Sequence, residues 1–408
     1  MSAFPKYDHY KDSGIEWLGD IPEGWEMKRS KRVFSQRKEL ARPGDEQLSA
    51  TQAYGVIPQS VYESKVRRKI VRISLHLEKR KHVELDDFVI SMRSFQGGLE
   101  RAWSTGCIRS SYTILKPEVQ IAPGYFTHFF KCPQYIRALQ STGNFIRDGQ
   151  DLNYDNFIAV DLPYPPIEEQ TRIGTFLDRK TAEIDALIAK KQRQIELLDE
   201  QKAILINRAV TRGLSAVASA KEGLNPKAKL KPSGIEWIGE IPEHWTVKRL
   251  RYLCTLGTGE RDTKNSVARG EFPFFVRSQT PERINSFGFD CEAVLTAGDG
   301  AGVGKVFHHF VGRFDAHQRV YVMRDFVDVL GRYFFLFLRE NFHRVALTGE
   351  AKSTVDSLRR PMLADFQVPF PSEEEQRAII DHCDEISRQI AELHRITTTE
   401  IKSLKTLR

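Results

Sequence analysis

The chain has 408 residues, 40% hydrophobic and 10% aromatic, enough apolar material for two or three packed domains and too much for wholesale disorder. No apolar run is long enough to span a bilayer, and the start, MSAFPKYDHYKDSG, lacks the layout of a secretory signal, so a cytoplasmic protein with no membrane association is expected. Net charge is +7 and the pI about 9.0, which suits a polyanionic partner such as nucleic acid, while five dispersed cysteines without a CxxC pair argue against a disulfide framework or a thiolate zinc site.

In chain order, the first distinctive segment is SGIEWLGDIPEGWEMKR, Ser13 to Arg29. It returns as SGIEWIGEIPEHWTVKR, Ser233 to Arg249, with 12 of 17 positions identical. Between the first copy and residue 165 lies a body with short β-rich runs at Val71-Arg72-Ile73, Phe88 to Met92 and Tyr112 to Leu115, then a helical run from Gly124 to Ser141. Asp86 precedes a Gly-rich loop that leads to Arg101.

A Pro-rich hinge follows, VDLPYPPIEEQTRIGTFLD from Val160. Glu168 and Glu169 load the first turn of a helix with negative charge. Apolar residues then recur by threes and fours at Ile173, Phe176, Leu177, Ile184, Leu187, Ile188, Ile195, Leu198 and Leu205, with Lys191 and Lys202 interrupting the seam and Gly213 as a stop. The pattern predicts a helix of roughly 45 residues, about 68 Å long, whose narrow stripe suits a coiled coil.

The stretch SAVASAKEGLNPKAKLKP, Ser215 to Pro232, reads as an exposed tether. The second body has β-rich runs at Phe274 to Val276 and Arg319 to Val322 and a helical run from Val329 to Leu347. A second hinge, FQVPFPSEEEQRAIIDHCD from Phe366, matches the first: Pro163, Pro165, Glu168, Glu169 and Gln170 pair with Pro369, Pro371, Glu374, Glu375 and Gln376. The distal helix carries Ile379, Cys383, Ile386, Ile390, Leu393, Leu404 and Leu407 at similar spacing, and its economical partner is the central helix, packed antiparallel.

The chain is therefore a duplicated module. The expected divisions are a first domain over 1–165, a central helix over 166–214, a linker over 215–232, a second domain over 233–370 and a distal helix over 371–408. The fold class is α+β: two α/β domains joined by two long helices in an antiparallel intramolecular coiled coil with pseudo-two-fold symmetry. The bodies match poorly except at their ends, as expected if one frame serves two different targets.

Catalytic patterns fail one by one. GDGAGVGKV, from Gly298, lacks the P-loop glycine, because Asp299 stands in its place, and Val306 replaces the magnesium-binding hydroxyl. Tyr164-Pro165-Pro166 is a reversed and incomplete version of an amino-methyltransferase motif. Glu350-Ala351-Lys352 has no convincing Asp partner for a nuclease site, and His308 and His309 lack a metal-ligand neighbourhood. The chain is expected to do no chemistry itself.

The repeated G-I-E-W-x-G-x-I-P-x-x-W opening, the P-x-P-x-x-E-E-Q hinge and the two long helices resemble, in order and over the whole chain, the specificity subunit of type I restriction–modification systems. Trp17, Pro22 and Trp25, with Trp237, Pro242 and Trp245, match the frame of that family. The resemblance implies two target recognition domains, each binding one half of a bipartite, asymmetric site on double-stranded DNA. It also implies two modification subunits that use S-adenosylmethionine to methylate adenine N6, and restriction subunits that use ATP and magnesium. This chain would hold no cofactor and no metal.

Loops carrying Ser, Gln, His and Arg at strand mouths can reach base edges or phosphates. The candidate DNA contacts are Arg67, Arg68, Lys69, Arg93, Ser94, Gln96 and Arg101 in the first body. In the second they are Arg277, Lys305, His317, Gln318 and Arg319. Lys28-Arg29 and Lys248-Arg249 are candidates for phosphate contact in both copies. The four tryptophans of the opening motifs read as packing anchors, since a segment shared by both halves cannot distinguish two half-sites. The competing readings are an enzyme acting on DNA alone and a coiled-coil scaffold or adaptor without sequence-specific DNA binding.

Overall fold

Both opening motifs close the same loop. Ser13 N–H donates to Gly19 O, and Ile15 N–H to the Ser13 hydroxyl; Ser233, Gly239 and Ile235 repeat the pattern. Gly14 and Gly19 have φ of 71° and 68°, and Gly234 and Gly239 have 74° and 70°, a left-handed backbone that glycine adopts without steric cost. The loop sits within a short hairpin, Tyr10–Asp12 with Asp20–Pro22 in the first copy and Leu230–Pro232 with Glu240–Pro242 in the second. The last three residues of the expected tether are therefore strand. The computed structural model describes residues 6–70, 77–143, 152–214, 229–346 and 357–407. The β-run at Val71 to Ile73, the Glu350-Ala351-Lys352 triplet and most of the linker lie outside them.

The opening motif and the hinge, far apart in sequence, are strand partners. Glu26–Lys28 pairs antiparallel with Leu162–Tyr164, and Thr246–Arg249 with Gln367–Phe370. Each body thus leaves and re-enters the frame through one two-stranded ribbon. The hinge glutamine then locks the ribbon to the helix that follows. Gln170 is fully buried; its amide oxygen accepts from Ala122 N–H at 3.0 Å, and its Nε2 donates to Pro165 O at 2.8 Å. Gln376, equally buried, accepts from Leu330 N–H at 2.8 Å and donates to Asp328 O and Pro371 O.

The tryptophans pack on this frame. Trp245 is fully buried and donates to Glu375 Oε1 at 3.2 Å, and Trp237 stacks on Phe366 with ring centres 6.2 Å apart. Trp17 and Trp25 meet Tyr135 and Tyr125 edge-on. Three of the four basic residues behind the motifs are held by the frame: Lys28 lies over the Tyr164 ring beside Glu26, Lys248 pairs with Asp328, and Arg249 with Asp365.

The chain divides into two compact units, Met1–Ala186 and Leu187–Arg408. The division falls inside the central helix, Ile167–Arg212, whose first turns pack on the first body through Gln170, Ile173 and Gly174. In the first unit, a four-stranded sheet runs in the order Phe34–Arg37, Thr113–Pro117, Phe88–Ile90, Glu100–Arg101. Its core is aromatic, with Phe34 in contact with Phe88, Phe126, Phe130 and Phe157. The expected helical run is two helices, Pro123–Phe129 and Pro133–Ser141, because Pro133 starts a new one.

In the second unit the body has a six-stranded sheet in the order Thr255–Thr258, Val320–Arg324, Phe289–Ala297, Phe307–Ala316, Phe272–Phe275, Glu282–Ile284. Helix Gly331–Asn341 covers it with Tyr333, Phe334, Phe335, Leu336, Phe337 and Leu338, all buried. The two bodies share a class but not a topology.

The central helix has 46 residues and the distal helix, Glu373–Leu407, has 35. Both begin on the expected acidic turn, and Gly213, at φ 78°, ends the first. Within the second unit they pack antiparallel: Lys191 pairs with Glu400 at 2.6 Å, and Asp199 lies 3.5 Å from His394. Lys191, a break in the apolar pattern, is thus answered across the seam. The distal seam uses Ile379, Cys383, Ile386, Ile390, Thr397 and Ile401. Leu393, expected in it, is 43% exposed, because the spacing takes two successive steps of four and brings His394 inward instead.

Gln376→Leu keeps the volume but removes two donors and an acceptor from buried backbone partners. It is expected to cost about 2–4 kcal/mol of unfolding free energy, read from urea denaturation, with Gln170→Leu similar in the first unit.

Candidate nucleic-acid interface

In the second body, four of the five expected residues come together at one end of the sheet. Arg277 lies just past strand Phe272–Phe275, and His317, Gln318 and Arg319 form the turn between the two strands that end and begin at Ala316 and Val320. The turn is tied down on three sides. His317 N–H donates to Phe275 O, Gln318 N–H to Arg261 O, and Gly298 N–H to Arg319 O, at 2.8 to 2.9 Å. At the centre is Asp299. Arg277 Nη1 donates to its Oδ1 at 2.8 Å, and Arg319 Nη1 donates to its Oδ2. Burial opposes the charge of Asp299, but the Arg319 and Arg277 guanidiniums outweigh it and hold the carboxyl below its usual range.

Gln318, Arg319 and Arg277 are exposed and face solvent. His317 does not: only 3% of it is accessible, and its Nδ1 accepts the Arg319 backbone N–H at 3.0 Å. It braces the turn rather than reaching outward. Lys305 stands at the end of the Gly-rich loop, exposed, its ammonium without a partner among the described residues. Asp299 and Arg261 are not among the contacts expected from the sequence. Arg261 Nε binds Asp315 at 3.1 Å beside the same turn. The signal for Asp299 was present: it is the residue that spoils the P-loop pattern.

In the first body, Arg93 lines a cavity of about 620 Å³ with Gln52, Tyr54, Tyr62, Arg109 and Tyr112. Gln52 Nε2 donates to Arg93 O at 2.9 Å and fixes that turn. Val66 and Ile70, which bracket the exposed run Arg67, Arg68 and Lys69, line the same cavity. Gln96 is exposed on the short helix Ser94–Gly97. Ser94 is 1% accessible, and its hydroxyl accepts the Ser91 N–H at 2.9 Å, so it shapes the loop from inside. Arg101 is apart from the cavity lining: Asp86 grips its Nε and Nη2, and its guanidinium lies 4.2 Å from the centre of the Trp103 ring. The tyrosines and Arg109 were missed because no local pattern marks residues that converge from separate hairpins.

Two exposed surfaces of unlike shape, both rich in arginine and amide side chains, therefore stand on one repeated frame. Among the described residues no group of three or more His, Cys, Asp and Glu side chains is placed to hold a metal ion, and no described helix is long and apolar enough to cross a membrane.

Residues 242–403 match the family model of the type I restriction modification DNA specificity domain. The resemblance drawn from the duplicated opening and hinge motifs is borne out by relatives as well. The chain is 32% identical over 152 residues to the type I restriction enzyme EcoDI specificity subunit of Escherichia coli, a match that covers 37% of this chain and only a third, 33%, of that protein. It is 23% identical to the type I restriction enzyme MjaVIII specificity subunit of Methanocaldococcus jannaschii, over 99% of this chain and 95% of the relative. Two solved structures share the fold of this chain. One, from a study of complex assembly and conformational transition of the type I R-M system, has a TM-score of 0.59 at 18% identity, covering 95% of this chain and 96% of its own. The other, the HsdS subunit from Thermoanaerobacter tengcongensis, has a TM-score of 0.53 at 15% identity and covers 95% of each chain.

Burial lowers the pKa of His317 from 6.5, with Arg277 adding to the effect, and burial lowers that of His308. Above the unfolded value both states are neutral and nothing is gained or lost. Below it the unfolded chain takes up protons first, so stability falls as pH falls. The second unit is expected to melt at lower temperature at pH 5.5 than at pH 7.5, and His317→Gln, which keeps an acceptor but cannot titrate, should show a smaller drop in the same thermal melts.

Proposed function

We propose that this chain is the DNA sequence-recognition subunit of a type I restriction–modification complex. One observation carries the reading: two bodies of different sheet topology, each presenting its own arginine-rich surface, are mounted on frames that agree down to hydrogen bonds. A protein built to bind one thing twice has no use for unlike bodies. One that reads a bipartite, asymmetric site has, with each body taking one half. The net charge of +7 supplies the sequence-independent attraction to phosphate.

The helices set the separation of the halves. At 1.5 Å per residue the 46-residue helix is about 69 Å long, which limits the reach to roughly 20 base pairs. The helix pair also offers a docking face. Taking Ile188, Ile195 and Lys202 as one core position of the central heptads, Leu187, Leu197 and Ile204 fall on one flank. The same spacing puts Leu393, Ile396 and Leu407 on the matching flank of the distal helix, and like flanks share a side in an antiparallel pair. All six are exposed. In this reading the stripe takes the modification (methyltransferase) subunits, which bring S-adenosylmethionine, with restriction subunits and their ATP and magnesium joining the assembly in the cytoplasm. The chain itself is not an enzyme.

Three outcomes test the proposal. Exchanging residues 26–160 for the body of another family member, with the modification partner co-expressed and methylated adenines mapped, should change one half-site and leave the other intact. A gel shift with that partner should weaken steeply between about 50 and 200 mM salt; a complex that assembles but never shifts DNA would make the chain a protein scaffold instead. Leu197→Glu combined with Ile204→Glu should abolish co-purification of the modification subunit while changing stability by less than about 1 kcal/mol, as exposed substitutions do.

A further inference from the structure

We propose that Asp299 is a positioning residue, presenting Arg277 and Arg319 as a paired reader of guanine within the half-site taken by the second body. The inference rests on the DNA-recognition reading above and names the base chemistry of that site.

The argument begins with which nitrogens are used. Both arginines reach Asp299 through Nη1. That leaves the Nε–H and Nη2–H edge of each guanidinium open, and neither has another partner among the described residues. This edge presents two parallel donors, the arrangement that matches the O6 and N7 acceptors of guanine in the major groove. Arg101 in the first body makes the contrast. Asp86 holds it through Nε and Nη2, so its side-on edge is consumed.

Burial is distributed in the same sense. The Asp299 side chain is 12% accessible, those of Arg277 and Arg319 are 43% and 61%. An ordinary surface ion pair has both partners in water and is lax. Here the acid is fixed and the bases project from it. Asp299 pairs with Ser357 across an isolated bridge, and the neighbouring Gly298 bonds both Arg319 O and Leu358 N–H. The Arg319 backbone is fixed in turn by His317 Nδ1. The rotamer freedom that a free arginine gives up on binding is largely given up before DNA arrives. Gln318, exposed next to Arg319 on the same turn with its Nε2 3.4 Å from Asp262, adds an amide to the same surface.

The shared carboxylate also sets the charge. Two guanidiniums and one carboxylate carry a net single positive charge. Removing Asp299 therefore leaves the surface more attractive to phosphate and less discriminating between bases. A merely structural residue would lower both properties together.

The test uses the complex of the full chain with its modification partner and a panel of duplexes that vary each position of the second half-site. Asp299→Asn and Asp299→Ala should reduce the preference for guanine at one or two positions by about 10- to 100-fold. Affinity for unrelated duplex should stay level or rise, and the first half-site should be unaffected. Arg319→Lys keeps an ion pair with Asp299 but lacks the side-on edge, so it should lose the same preference with an unchanged melting temperature. The inference is overturned if Asp299→Asn keeps full discrimination, if every duplex is weakened alike with a fall in melting temperature in all three variants, or if the mapped site has no G·C pair in its second half. Wild-type complex that binds without any site preference would overturn the DNA-recognition reading as well.

Discussion

Everything in this molecule hangs on a glutamine that has no side-chain freedom left. Gln170 and Gln376 sit in the first turn of their helices, fully buried, and each bonds the start of a body helix with its oxygen and the hinge with its nitrogen. A buried amide is costly to leave unpaired, so it tolerates only one relative placement of its neighbours. The helix, the hinge strand and the body are thereby fixed to each other by one side chain. The opening motif joins the same junction through its pairing with the hinge strand.

With the junction constant, the bodies are free to differ. A four-stranded sheet with separate hairpins and a six-stranded sheet attach through the same two strands. The surfaces they expose differ in kind. The first gathers tyrosines and arginines around a concavity, whereas the second holds two arginines and a glutamine on a braced turn. The physical division of labour is between buried polar groups that fix geometry, such as Gln376, His317, Ser94 and Asp299, and exposed ones that remain available.

Much of this was legible from the residues. The duplicated motifs, the acidic helix starts, the stop at Gly213 and the antiparallel pairing follow from spacing and charge, which are local or periodic signals. What was not legible depends on contacts between distant segments. The distal seam was misread at Leu393 because a heptad count assumes regular winding, and the extra step of four that admits His394 shows only in three dimensions. Ser94 and His317 look like contact residues in sequence, since polar residues in loops usually face water; their burial comes from partners at Ser91 and Arg319 that only the folded turns supply. In sequence Asp299 stands out as the acid in a Gly-rich loop that spoils a nucleotide-binding pattern, and a string of glycines around one acid says nothing about arginines 22 and 20 residues away.

The ribbon between opening and hinge has a consequence for how the chain is made. Met27 pairs with Pro163, and Val247 with Pro369. At synthesis rates of about 5–20 residues per second, the first strand waits roughly 7 to 27 seconds for its partner to be translated. During that interval its edge and the neighbouring tryptophan are uncovered, while the body between is already complete enough to collapse. The ribbon of each half therefore closes only after the whole body between its strands has been made.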